Sequence, residues 1–127
     1  MFKRILHVGI VVADLQHAID KFRGFGLSCS EVKVIEGANL QVAFFPVGDS
    51  FIELLSPTNP NERGALSSQS TIDHICFEVE DLEASIRNFL EHGARLKEGF
   101  PRKGAHGRIA FFDPETTEGT LIELCEL

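Results

Sequence analysis

Apolar and polar positions along the chain change rhythm twice, and in the same way each time. Residues 5–12 and 72–79 are apolar, β-branched runs that predict strands. Each leads to an aspartate, Asp14 or Asp81, placed to accept the unpaired N–H groups of a first helical turn. Leu15, Ala18, Ile19 and Phe22 then recur at helical spacing, as do Leu82, Ser85, Ile86 and Phe89. Gly26 and Gly93 stand where a left-handed residue closes a helix. Three further strands are expected in each half, over 28–35, 40–46 and 50–55, then over 94–99, 107–112 and 120–126. Gly37 and Asn39, Gly48 and Asp49, and Asp113-Pro114 through Gly119 supply the turns.

The two rhythms are one module written twice. At an offset of 67 residues His7 falls on His74, Asp14 on Asp81, Phe22 on Phe89 and Gly26 on Gly93. Ala43-Phe44-Phe45 falls on Ala110-Phe111-Phe112 in the same register. The second copy then gains three residues in DPETTEG, and Ile52-Glu53-Leu54 meets Ile122-Glu123-Leu124 at an offset of 70. A register this long, broken only at a turn, means tandem duplication. The expectation is an α+β fold, two tandem βαβββ modules forming a curved mixed sheet around a metal-binding cleft. Module one covers about 1–56 and module two about 72–127, in a single domain of 127 residues. The polar, turn-rich stretch from Ser56 to Thr71, SPTNPNERGALSSQST, is read as the link, with its boundaries at about 57–71.

Composition narrows the chemistry. Eleven Phe stand beside no Tyr and no Trp, which excludes catalysis by a phenol or an indole. Three scattered cysteines, Cys29, Cys76 and Cys125, make neither a disulfide framework nor a CxxC site, and read as reduced thiols of a cytoplasmic protein. The first residues, MFKRILHVGIVV, read as a strand, since no cleavage site of small residues follows them. No apolar run approaches the roughly 20 residues of a membrane span. A net charge of −7 disfavours nucleic acid and anionic membranes as partners. Against that balance, Arg95, Lys97, Arg102, Lys103 and Arg108 cluster with one acid, Glu98, a segment suited to a phosphate-bearing ligand.

Duplication also doubles two ionisable residues inside apolar strands: His7 and Glu53, His74 and Glu123. A charge there is costly without a partner. The strand period of two puts His7 on a face with Gly9 and Val11, and His74 on a face with Cys76 and Glu78. Each Glu alternates with aliphatic neighbours and points the other way from them. Two imidazoles and two carboxylates brought together by an approximate two-fold axis suit Mn, Fe, Co, Ni or Zn and leave positions open for a substrate.

The tandem βαβββ layout and the His…Glu…His…Glu order resemble the vicinal oxygen chelate (glyoxalase/bleomycin resistance/dioxygenase) superfamily across essentially the whole chain. More narrowly, HVGIVVADLQHAIDKF, FIELLSP, DHICFEVEDLEASI and PRKGAHGRIAFFDPETTEGTLIELCE resemble the methylmalonyl-CoA epimerases. The resemblance implies one divalent ion (Co, Mn, Ni or Zn) held by His7, Glu53, His74 and Glu123. It implies inversion of C2 of methylmalonyl-CoA through a metal-stabilised enolate, with Glu123 as a catalytic base. Arg102 and Lys103 would then meet the coenzyme A phosphates, while His106 of the GAHG loop and Gln41 would contact the substrate. Family members that carry a second carboxylate on the third strand differ from this chain, where the matching residue is Val42. Glu78, or a water held by Gln41, is the replacement to look for. An acyl-CoA or other small anionic substrate and a homodimer complete the expectation.

Three other readings compete. A lactoylglutathione lyase would use the same four ligands, but its larger glutathione-binding insertions are not evident here. An extradiol dioxygenase would want one carboxylate fewer and usually a Tyr. A non-catalytic binding member of the superfamily would commonly lose ligands.

Overall fold

The computed structural model describes residues 2–59 and 71–127. The elements are β1 (Phe2–Val11), α1 (Leu15–Gly24), β2 (Glu31–Ile35), β3 (Leu40–Val47), β4 (Ser50–Pro57), β5 (Thr71–Val79), α2 (Leu82–Glu91), β6 (Arg102–Lys103), β7 (Arg108–Phe112) and β8 (Leu121–Glu126). Short 3-10 turns occupy Glu36–Ala38 and Pro114–Thr116. Strand, helix and three strands thus occur twice, which is the α+β class and the duplicated module that the hydrophobic pattern predicts.

Two compact units divide the chain: residues up to His7 with His74–Leu127, and Val8–Asp73. In Val8–Asp73 the hydrogen-bonded order is β2-β3-β4-β1, with β2–β3 and β3–β4 antiparallel. Asp14 caps α1 by accepting the His17 N–H at 3.0 Å. Leu15, Ala18 and Ile19 of that helix then bury against Ala43, Phe45 and Leu54 of the sheet. Gly26, at φ 105°, turns the chain away beyond the helix end, a conformation that costs glycine little.

The second unit repeats this construction. Its order is β1-β5-β8-β7-β6, with β5–β8 parallel and β8–β7–β6 antiparallel. Asp81 accepts the Ala84 N–H at 3.0 Å to cap α2. Leu82 and Ile86 pack on Val79, Ala110, Phe112 and Leu124. Burying a side chain of this size is worth about 1.5–3 kcal/mol, so each helix is held chiefly by its apolar face.

Three boundaries move. Ser56 and Pro57, read as the start of the link, belong to β4, and residues 60–70 of that link lie outside the described residues. No strand forms over 94–99, where Leu96 makes only an isolated bridge to Phe112; the pairing strand is Arg102–Lys103. Gly99, at φ 88°, turns the backbone between the two, and Pro101 has no N–H to give to a ladder. Finally, β2 begins at Glu31, later than the expected 28.

Candidate metal centre

Period two decides which side chains of β5, β7 and β8 share a face. In the ladders Cys76 lies opposite Glu123, and Glu123 opposite Phe111. Leu124, Ala110 and Phe112 take the alternate positions and form the core under α2. The face away from the helix therefore carries His74, Cys76, Glu123 and Phe111.

On that face three donor atoms converge. His7 Nε2 lies 3.0 Å from His74 Nε2 and 3.0 Å from Glu123 Oε1. His74 Nε2 lies 3.1 Å from the same Glu123 oxygen. All three residues are buried. Each imidazole Nε2 can bring one hydrogen and an ionised carboxylate none, so at most two hydrogens serve three contacts. A cation at the centre would serve all three. Neighbouring donors on a six-coordinate ion with bonds of about 2.1 Å stand about 3 Å apart, which is the spacing found. The donor set fits a first-row divalent ion.

Electrostatics point the same way. Burial alone would push the Glu123 carboxyl up, but hydrogen bonds from His7 and His74, with their charge, bring it down to about 2. The carboxylate is thus an anion facing two nitrogen donors. The His74 ring stands edge-on to Phe111, centroids 5.4 Å apart. Phe111 in turn meets Phe100 at 5.2 Å, and the Arg102 guanidinium lies 4.4 Å above the Phe100 ring.

The other expected site residues divide. Glu53 is buried on β4 opposite Phe44, sharing a face with Val42 and Leu55. Gln41 does not share that face: it pairs with Ser56, on the side of Ala43, Phe45 and Leu54 that packs under α1. One register position thus places Gln41 and the Glu53 carboxylate on opposite faces of the sheet. Glu78 is committed elsewhere. Arg4 Nε donates to it at 2.6 Å and Lys3 Nζ lies at 3.4 Å, and the Arg4 hydrogen bond leads in holding its carboxyl below the usual range.

Arg102 and Lys103 are exposed on β6, and His106 is exposed in the loop that follows. GAHG closes the β6–β7 hairpin, with the Gly104 N–H donating to the Gly107 carbonyl at 2.9 Å. Gly107 adopts φ 70°, and a Cβ there would lie 2.2 Å from the Glu126 carbonyl oxygen. Of the basic cluster, Arg95 is paired with Asp113 and Arg108 with Glu83. The charge on offer to a ligand is accordingly smaller than the sequence count implies. The residue that sequence reasoning passed over is Cys76: donor atoms of His7, Cys76 and Glu123 all lie within 4.8 Å of one another. Period two had already placed Cys76 on the His74 face, so the signal was present.

A family model described as the Glyoxalase/Bleomycin resistance protein/Dioxygenase superfamily matches residues 6–112. The chain belongs to that superfamily. Within it, the chain is 35% identical to the ethylmalonyl-CoA/methylmalonyl-CoA epimerase of Cereibacter sphaeroides, over 98% of each chain. It is 31% identical to an uncharacterised Bacillus subtilis protein, YqjC, over 97% of this chain and 91% of that one. A solved structure of a single-residue Glu-to-Gln variant of Streptomyces coelicolor methylmalonyl-CoA epimerase in complex with 2-nitronate-propionyl-CoA matches with a TM-score of 0.87 at 28% identity, covering 99% of this chain and 98% of the other. Among the described residues, no helix is long and apolar enough to cross a membrane.

Proposed function

We propose that this superfamily member is a metal-dependent epimerase that inverts C2 of methylmalonyl-CoA. The observation that carries the reading is the triangle of His7, His74 and Glu123 donors with edges of 3.0, 3.0 and 3.1 Å. His7, Glu53, His74 and Glu123 would hold the ion, Glu53 entering as the buried repeat counterpart of Glu123. When bound, the ion supplies Lewis-acid stabilisation of the negative charge that grows on the thioester oxygen as the C2 proton leaves.

The chain's own residues do the rest. Glu123, buried beside the two imidazoles, is the carboxylate that takes the proton from one side of C2. Phe111, edge-on to His74, keeps water from that side of the imidazole. On β3, Val42 and Phe44 share the Glu53 face and bring no carboxylate, and Glu78 is tied to Arg4. We assign the proton transfer on the opposite side of C2 to a water. Arg102, braced on Phe100, and Lys103 meet the phosphates of the coenzyme, with His106 in the adjoining loop. The relatives named as epimerases, one of them solved with an acyl-CoA analogue, support this substrate class.

The test is exchange of the C2 hydrogen of methylmalonyl-CoA in deuterated water. Exchange well above background in metal-loaded protein is the expected result. Background exchange, with isomerisation of a glutathione hemithioacetal by the same preparation, would replace the reading with a lyase of the glyoxalase type.

A further inference from the structure

We infer that Cys76 is an additional donor at this centre, so that a bound ion takes sulfur as well as nitrogen and oxygen. The inference rests on the metal-centre reading and concerns which atoms complete it. Cys76 is fully buried. It stands two residues beyond His74 on β5 and directly opposite Glu123 in the parallel ladder, so all three side chains leave the sheet on one face. One donor atom each from His7, Cys76 and Glu123 falls within 4.8 Å of the other two. The thiol thus stands in the neighbourhood of the His7 and Glu123 donors, and a small side-chain adjustment would bring it to an ion held there.

The three cysteines differ in what holds them. Cys125 also lies on the Glu123 face, but its Sγ–H donates to the His106 carbonyl at 3.1 Å and pins the GAHG loop. Cys29 lies on the other unit and donates to the Glu31 carbonyl at 3.6 Å. The Cys76 Sγ–H lies 4.0 Å from the Phe77 carbonyl, well beyond the roughly 2.3 Å of a metal–sulfur bond. On coordination the S–H bond breaks, its electron pair forms the sulfur–metal bond and the proton goes to solvent. A thiolate is a soft donor, so the centre should retain Zn or Co in preference to Mn.

Loading with Co²⁺ tests this without an activity measurement. Native protein should show visible d–d bands together with a near-ultraviolet thiolate-to-cobalt charge-transfer band. Cys76→Ser should keep the visible bands and lose the near-ultraviolet one, while Cys125→Ser keeps both. Visible bands without the charge-transfer band in native protein, or a band that survives Cys76→Ser, would overturn the inference and leave the metal centre standing. Absence of any d–d band in native protein would overturn both. Should Cys76→Ser fail to fold, Cys76→Ala replaces it, and the native spectrum already decides the sulfur question.

Discussion

His7 and His74, the same position in two copies of one module, bring their Nε2 atoms to 3.0 Å of each other. Neither nitrogen can satisfy the other and Glu123 together, which makes the pair a sensitive reporter of a bound cation. His74→Ala should strip the purified protein of its divalent ion, read by elemental analysis after gel filtration, while circular dichroism stays native. Unchanged metal content in this variant would remove the site assignment.

Glu123 connects the same site to acid stability. Its folded value of about 2 lies below the ordinary 4.5, so its contribution is fully present above pH 4.5 and drains away as the pH falls toward 2. In chelator-treated protein this loss should be on the order of a few kcal/mol. Glu123→Gln should flatten urea-denaturation stability across that window. A variant with the native slope would show that the two imidazoles do not depress the carboxyl.

The two helix caps should be equivalent. Asp14 and Asp81 each accept one N–H at 3.0 Å, from His17 and Ala84. Replacing either by Ala should cost about 1 kcal/mol in chemical denaturation, and the double variant about the sum, because the caps share no partner. By contrast, Phe112→Ala, at a fully buried position between α2 and the sheet, should cost about 3–5 kcal/mol.

Gly107 is held by space as well as by φ. With a methyl group 2.2 Å from the Glu126 carbonyl, Gly107→Ala should destabilise by more than about 1 kcal/mol. Gly37→Ala is the matched control, since a Cβ there meets nothing within 4 Å.

Arg102 and Lys103 are expected to act on the coenzyme and not on the reacting carbon. Changing both to Ala should raise KM for the coenzyme A ester by up to about tenfold, since exposed charge contacts are individually weak. KM for a short pantetheine thioester should stay the same, and kcat should change little with either substrate. An equal rise for both esters would place these residues elsewhere in the mechanism.

Local pattern alone determined the module: period two and period 3.6 placed both helices, both caps and most strands, because a strand or helix must turn its apolar face inward wherever the chain goes. Repetition then singled out His7, Glu53, His74 and Glu123, since ionisable groups inside apolar strands survive only with partners. What happens between Ala94 and Lys103 was not legible there. Gly99 and Pro101 end one extended run after a single bridge and leave the ladder to two residues, an outcome that depends on backbone torsion and hydrogen-bond geometry. Register was likewise invisible from composition. Only the pairing of Gln41 with Ser56 showed that it faces the α1 core, and only the pairing of Glu78 with Arg4 showed that its charge is spent. Cys76 is the clearest division between the two. The sequence put it on the face of His74, but only the parallel β5–β8 ladder set it opposite Glu123 and within reach of His7, because distance across a sheet is set by strand pairing and not by position along the chain.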